Sequence, residues 1–412
     1  MSVVACGRVI AAAKHHVEAR VPSARVGDRV RIYAHDRKVE ASIAALNHDR
    51  VVLALVGDAE RVACGDRVEV ESGSRLAVLG SALLGRAIDG CGVPFDGGPP
   101  PAGVAVRIDD GRLAPGERAL TRGPLWTGAR AVDAFATLAR GARLGIFGAA
   151  GTGKSVLLEQ IARHATADAI VLALIGERGG EARRDLAKLD RRTTIVCAPS
   201  DRSAAEKLAA GDLALAQAEE LRRRGLDVLV VFDSVMRYAQ AVREVALAGG
   251  EPAGRGGYPA SVFARLAGLV ERGGCTRRGS ITILATVLCD PLDPGDVLAE
   301  AARSLLDGHI VLSRALAERG RFPAVDVTAS LSRTMVTVVT PGHIRDAARV
   351  RTAIARLEAT RDGRELGIVP TDAAFERVLA AEAAIEDFLR QAEEGSGPEE
   401  TLRALRALAD TL

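Results

Sequence analysis

The stretch Gly148-Ala-Ala-Gly-Thr-Gly-Lys154-Ser155 satisfies every fixed position of G-x-x-x-x-G-K-[ST]. A backbone that curls around a phosphate with successive N–H groups aimed inward tolerates little but glycine at its tightest points. The helix that follows adds the positive end of its dipole. Gly148, Ala149, Ala150, Gly151, Thr152 and Gly153 therefore read as the cradle, with Lys154 reaching the β- and γ-phosphates, Ser155 ligating magnesium and Val156 completing the stretch. The ligands that fit are ATP and Mg2+. A glycine-rich turn that binds nothing would not require Lys-Ser after its last glycine.

Other positions have two readings each. Val228-Leu-Val-Val-Phe-Asp233 is an apolar run ending in an acid, and in an open α/β sheet ligands lie beyond the carboxyl ends of the strands. Asp233 is then a second magnesium ligand beside Ser155, or Asp233 or Ser234 merely caps the helix that starts at Val235; both readings can hold. Ile170 to Ile175 leads into Gly176-Glu177-Arg178, where Glu177 either holds a water in line with the γ-phosphorus or is a solvated loop acid. Arg333, after Ala329-Ser-Leu-Ser332, is a surface residue or a finger that neutralises transition-state charge. Phe322-Pro323 offers core packing or a flat face for adenine. Gly249 to Gly257 is too glycine-rich for regular structure and serves motion or linkage.

These residues need a frame to hold them. Leu144 to Phe147 reads as a buried strand before the phosphate loop, and Val156, Leu157, Leu158 and Ile161 as the apolar face of the helix after it. Further strands are expected at Ile170 to Ile175, Thr194 to Cys197, Val228 to Phe232, Ile281 to Leu288 and His309 to Leu312. They alternate with helical patterns, which implies a parallel sheet covered on both faces. Ahead of this lies a doublet, Val26-Gly-Asp-Arg-Val-Arg-Ile32 and Cys64-Gly-Asp-Arg-Val-Glu-Val70, in which a Gly-Asp turn feeds a period-two strand. The expected fold is α/β: a small N-terminal β-barrel over 1–75, a Gly/Pro-rich connector of ordered turns over 76–124, a P-loop parallel-sheet domain over 125–340 and a helical bundle over 341–412. The bundle's helices are expected at His343 to Thr360, Ala373 to Gln391 and after Pro398.

Composition narrows the function. With 412 residues the chain exceeds one ordinary core, and a formal net charge of +2 gives no field for nucleic acid or anionic lipid. Aromatics at 3% leave few platforms for stacking bases. The cysteines Cys6, Cys64, Cys91, Cys197, Cys275 and Cys289 are scattered and read as reduced core residues of a cytosolic protein. His15 and His16 point to opposite faces if they lie in a strand, so they do not share a metal. No run reaches membrane-spanning length, so any membrane association is expected to be peripheral.

Seven stretches in order resemble the ATPases of bacterial type III protein secretion, a group that includes the flagellar export ATPase and is related to the rotary ATP synthase subunits. They are Thr127-Gly-Ala-Arg-Ala-Val-Asp133, Gly148 to Ser155, Ile175-Gly-Glu-Arg178, Asp233-Ser-Val-Met-Arg-Tyr238, Gly250 to Pro259, Leu306 to Arg314 and Ala329 to Arg333. The resemblance implies a RecA-like central domain and a catalytic Glu177 with Arg178 beside it. It makes Asp233 the Walker B acid, Arg333 the finger given to an adjacent subunit and Phe322 the aromatic stacked on adenine. It further implies a homohexamer with the barrels as a collar, a central-stalk protein facing the Gly250 to Tyr258 and Asp290 to Gly295 loops, a stator-like regulator, chaperone-effector complexes and export-gate membrane proteins. The implied work is chaperone release, unfolding and export from the cytoplasmic side of the inner membrane. A flagellar export ATPase and a rotary synthase subunit are the neighbouring readings. A hexameric RNA helicase is disfavoured by the near-neutral charge, and a non-catalytic ring subunit by Glu177. The chain departs from the export pattern at Asp296-Val-Leu-Ala-Glu300, where a proline is missing, and in strand-like alternation starting almost at Met1, where relatives carry a regulator-binding helix.

Overall fold

The computed structural model describes residues 5–13, 17–35, 37–57, 62–71, 75–108, 111–177, 190–289, 295–367, 370 and 372–412, so His15, His16, Arg178 and most of the Asp290 to Gly295 loop lie outside the described residues. Two units are distinguished, Met1–Ala114 with Ala169–Leu226 and Phe232–Arg272, and Pro115–Asp168 with Asp227–Val231 and Gly273–Leu412. The fold class is the expected one, an N-terminal barrel, parallel strands at the centre and helices at the C-terminus.

In the first unit the Gly-Asp doublet forms two matching turns. Gly27 and Gly65 take φ of 89° and 95°, a left-handed region open to glycine. Asp28 accepts from the Arg25 N–H, and Asp66 from the Ala63 N–H, both at 2.8 Å. Each turn feeds a strand whose alternate residues face inward. The six strands β1 (Cys6–Ala12), β2 (Val17–Arg20), β3 (Arg29–Ala34), β4 (Arg37–Asn47), β5 (Arg50–Val56) and β6 (Arg67–Glu71) close in the order β1-β2-β5-β4-β3-β6. Closure leaves no unpaired edge, and Ile32, Ile43, Leu53 and Val68 fill the interior.

The connector holds more than turns. Arg86–Asp89 pairs in parallel with Thr193–Ala198, which pairs with Ala169–Ile175, while Leu76–Val78 pairs with Ala105–Arg107. Such short strands lie below the length at which periodicity stands out from glycine and proline. Asp96 fixes the first of them, accepting from Arg86 Nε at 2.7 Å and the Ala87 N–H at 3.0 Å. The buried Gln217 fixes the neighbouring turn, accepting from the Gly80 N–H at 2.6 Å and donating to its carbonyl at 2.9 Å.

The second unit is built on the phosphate-loop strand, Arg143–Gly148, flanked by Ser280–Leu288 and Gly308–Leu312, both parallel to it. Val325–Ser332 adds an antiparallel edge that the expected strands did not include. Its return from Leu312 contains only the five-residue helix Arg314–Glu318, less than a parallel crossover ordinarily uses. The C-terminal helices start on the residues that favour starts: Thr340 caps Pro341–Ala359, Asp372 caps Ala373–Ala380, and Pro398 opens Pro398–Thr411. The helix expected to run on to Gln391 divides at Ala381 and resumes as Glu382–Leu389. Asp296 caps Val297–Leu305, accepting from the Leu298 and Ala299 N–H groups, so that helix begins without the proline.

Two expectations are corrected. Cys197, Cys275 and Cys289 are buried, but Cys6, Cys64 and Cys91 are exposed, because Cys6 points outward on β1 and the other two occupy turns. Leu157, Leu158 and Ile161 are buried, whereas Val156 is 57% exposed, since 100° per residue carries it around to the opposite side. No described helix is long and apolar enough to cross a membrane.

Gln217→Leu is expected to cost about 2–4 kcal/mol by leaving Gly80 unpaired, read as a lower midpoint of chemical denaturation; an unchanged midpoint contradicts the role. Asp133 gives a pH test. Burial pushes its pKa up from 3.8 to about 7, against hydrogen bonds from the Thr127 and Gly128 N–H groups and the Thr127 hydroxyl. The folded state thus holds a proton the unfolded chain releases, so the charged form's cost is full above the folded pKa and lifts as pH falls towards the unfolded one. Wild type is expected to gain thermal stability relative to Asp133→Asn between about pH 8 and pH 5, and parallel pH profiles would refute it.

Candidate nucleotide site

The phosphate loop leaves a fully buried strand end and enters the helix Lys154–His164 through two left-handed glycines, Gly151 at φ 80° and Gly153 at φ 87°. Gly153 is the N-cap and brings no side chain, so the first N–H groups of the helix have no side-chain cap. Such an end suits an anion. The buried Thr152 ties the loop by donating to the Ala149 carbonyl at 2.9 Å. A Cβ at Gly148 would fall 2.9 Å from the Thr152 hydroxyl and 3.1 Å from Leu312 Cβ, which explains that glycine. Lys154 Nζ lies across the loop and donates to the carbonyls of Gly148 at 2.9 Å and Ala149 at 2.6 Å. Ser155 is exposed.

Phe322 joins this group. A Cβ built on Gly153 would be 3.5 Å from ring atom Cε1, and the ring is 44% exposed, so a face is open for stacking. Gln391 donates its N–H to the Phe322 carbonyl at 2.9 Å and binds Gly128 and Arg130 through its side chain, tying Phe322 to the Thr127 to Asp133 stretch. Sequence reading missed Gln391, and neither its spacing nor its surroundings in the chain could have flagged it. The uncapped helix end, the adjacent lysine and hydroxyl, and the open ring together fit a nucleoside triphosphate with a divalent cation.

Glu177 and Asp233 lie together in the first unit. Gly176, at φ 76°, donates to the Ala198 carbonyl at 2.7 Å, and a Cβ there would meet Arg237 Cβ at 2.8 Å. The Ser234 N–H reaches the Ile175 carbonyl at 3.4 Å, so the two acid-bearing strand ends are adjacent. Both acids are half-buried. Ser234 caps the helix Val235–Ala248, its hydroxyl accepting from the Arg237 N–H at 3.3 Å, so the cap is the serine and not Asp233.

Arg333 lies elsewhere. Its N–H donates to the Asp307 carbonyl at 2.9 Å and its guanidinium to the Leu306 carbonyl at 3.4 Å. Ser332 is in register with Gly308 and Gly308 with Leu144, which places Arg333 where the phosphate-loop strand begins. The loop leaves that strand at Gly148, roughly 13 Å further along at the rise of a β-strand. The structure does not bring Arg333 to its own phosphate loop.

The Gly249 to Gly257 stretch is anchored at both ends. Arg243 Nε donates to the Gly257 carbonyl at 2.7 Å and stacks over Tyr258, while the Glu251 carboxylate accepts from the Ser261 N–H at 3.0 Å.

Residues 128–332 match the model of the ATP synthase alpha/beta family, nucleotide-binding domain. A type 3 secretion system ATPase of Pseudomonas syringae pv. syringae is 39% identical over 400 residues, 93% of this chain and 89% of the relative. A flagellum-specific ATP synthase of Pseudomonas aeruginosa is 39% identical over 415 residues, 97% of this chain and 91% of the relative. Among solved structures, the assembled ATPase EscN of the enteropathogenic E. coli type III secretion system superposes with a TM-score of 0.92 at 36% identity, covering 98% of this chain and 100% of that one. EscN in complex with its central stalk EscO superposes with a TM-score of 0.89 over the same shares at the same identity. With relatives of both kinds matched nearly end to end, this chain belongs to the family of type III secretion and flagellar export ATPases.

Proposed function

We propose that this ATPase hydrolyses Mg-ATP at the interfaces of a homohexamer and uses the energy for chaperone release, substrate unfolding and export by a type III secretion system. The observation that carries the interface reading is the position of Arg333 at the opposite end of its sheet from the phosphate loop. A finger so placed serves a neighbouring subunit and leaves its own site incomplete. EscN, similar to this chain over 98% of its length, has been seen both assembled and with a central stalk. A hexamer around a stalk protein follows by analogy. A stator-like regulator, chaperone-effector complexes, export-gate membrane proteins and a place at the inner membrane belong to the same reading.

Residue types, together with the geometry of Lys154 and Phe322, support the roles proposed for the site. N–H groups of the loop and first helical turn hold the phosphates, and Lys154 turns from its two carbonyls to the β- and γ-phosphates. Ser155 and Asp233 would hold magnesium, which when bound would supply positive charge against the phosphates. Glu177 orients the attacking water with Arg178 beside it, and Phe322 stacks on adenine. Arg333 enters the next subunit's site, where a finger is worth about 10³–10⁵ in rate.

Glu177→Gln is expected to abolish turnover while sparing ATP binding; retained turnover removes that carboxylate's role. Lys154→Ala and Arg333→Ala are each expected to be inactive alone. An equal mixture should restore activity at about a quarter of interfaces, where a sound loop meets a sound finger. No recovery at any ratio counts against a shared site. Equal identity to secretion and flagellar relatives keeps flagellar export as a second reading, and a pull-down from native lysate recovering flagellar rather than needle-complex proteins would decide for it.

A further inference from the structure

A glutamine interrupts the apolar face of the phosphate-loop helix, Lys154–His164: Gln160 is 5% exposed beside the buried Leu157, Leu158 and Ile161. A polar group in such a place is kept where it has partners to hold. The Gln160 amide donates to the carbonyls of Ala392, at 3.2 Å, and Glu394, at 3.5 Å. Both belong to Gln391-Ala-Glu-Glu-Gly-Ser396, the short segment between the helices Glu382–Leu389 and Pro398–Thr411. His164 Nε2 donates to the Glu393 carbonyl at 3.1 Å, and the Arg163 guanidinium lies 3.6 Å from the Glu393 carboxylate, so three residues of one helix reach this segment.

The segment also holds the aromatic. The Gln391 N–H donates to the Phe322 carbonyl at 2.9 Å. The Gln391 side chain donates to the Gly128 carbonyl at 2.8 Å and accepts from the Arg130 N–H at 2.8 Å, and the Ser396 N–H returns to the same Gly128 carbonyl at 2.9 Å. Gly128 is itself fixed by the buried Asp133. Both ends of the segment are thus tied down, which makes it a strap between helix and ring. On the other side of the Phe322 backbone, Arg321 pairs with Glu386 at 3.0 Å, on the helix that leads into the strap. Phosphates at a helix N-terminus and a base against a ring belong to one ligand, so both contacts form together only when helix and ring stand at a set separation.

We propose that Gln160 is a positioning residue for the base: through the strap it holds Phe322 at the height over the phosphate loop at which one nucleotide meets both. The inference rests on the reading of Phe322 as the adenine face, and adds to it the residue that orders that face. Stacking engages the flat of a base and not its edge, so the strap governs how tightly a nucleotide binds and not which base it carries.

Calorimetry of Mg-ADP on the full chain tests this in wild type, Gln160→Met, Phe322→Ala and the double variant. Methionine keeps the reach of the side chain and removes the amide. Gln160→Met is expected to weaken Mg-ADP about fivefold, and Phe322→Ala by at least as much. The double variant should bind within about twofold of Phe322→Ala, because a strap with no ring to place has nothing left to contribute. In steady-state hydrolysis Gln160→Met should raise KM more than it lowers kcat. Gln391→Glu is a second variant, which loses the donation to Gly128 and keeps the acceptance from Arg130, and the same dependence on Phe322 is expected of it. Additive losses in the double variants, Mg-ADP affinity unmoved by Gln160→Met, or a fall in kcat with KM unmoved would each overturn the positioning role and leave the stacking reading intact. Phe322→Ala binding Mg-ADP as tightly as wild type would instead overturn the stacking reading, and this inference with it.

Discussion

A β-strand delivers its chain at one end only. Arg143–Gly148 is hydrogen-bonded on both sides by parallel strands, so all three release their chains at the same edge, and the phosphate loop must emerge there. Val325–Ser332 runs against them and therefore ends at the opposite edge, where Arg333 follows immediately. One antiparallel pairing thus puts loop and arginine a strand's length apart. Had that strand been parallel, Arg333 would have emerged on the side of the phosphate loop, and a self-sufficient site would have been the simpler reading.

The frame was legible where residue type was dictated by backbone geometry. Glycine at 148, 151 and 153, lysine at 154 and apolar residues from 144 to 147 are each required by a turn, a charge or a buried strand, and the fold class followed from them. Twin Gly-Asp turns were equally readable, because an aspartate immediately before a period-two strand closes its own turn. The edge strand was within reach too. Val325-Asp-Val-Thr-Ala-Ser-Leu-Ser332 alternates apolar and polar with period two. Other features left no signal of that kind. Arg86–Asp89 owes its place to Asp96 and a neighbouring strand, and Gln391 reaches Phe322 from a distant part of the chain. The choice of Ser234 over Asp233 as cap depends on the residue at which the helix begins, which a pair of adjacent cap-forming residues does not disclose.

Helix Ala204–Arg223 shows why hydrophobic patterning understates the order of the first unit. Its buried face carries Gln217, Glu219 and Arg222 among alanines and leucines. Glu219 pairs with the buried Arg272, and Arg222 donates to the Arg272 carbonyl at 3.0 Å. Buried pairs of this kind add little net stability over apolar residues of the same volume, yet breaking one is expensive. They therefore act as register marks. A helix slipped by one residue would strand both charges, whereas a slipped alanine-leucine face would still find apolar neighbours.

The same marks extend to the strand end that bears Asp233. Tyr238 packs edge-on against Phe232, just before Asp233, and its hydroxyl accepts from Arg265 Nε at 2.9 Å while Arg265 also pairs with Asp212. Ring and hydroxyl tie three helices to the end of one strand. Because Arg265 lies on the helix that follows the Gly249 to Gly257 stretch, a shift of that helix would have to break the Tyr238 bond or carry Tyr238 and Phe232 along. Desolvation makes the first course costly, since the buried Tyr238 hydroxyl would keep only its longer bond to Asp212, at 3.4 Å. The second course moves the strand end that bears Asp233. Polar bonds inside the unit thereby fix the helix that follows the Gly249 to Gly257 stretch to the strand end that bears Asp233, more specifically than an apolar contact, free to slide, would do.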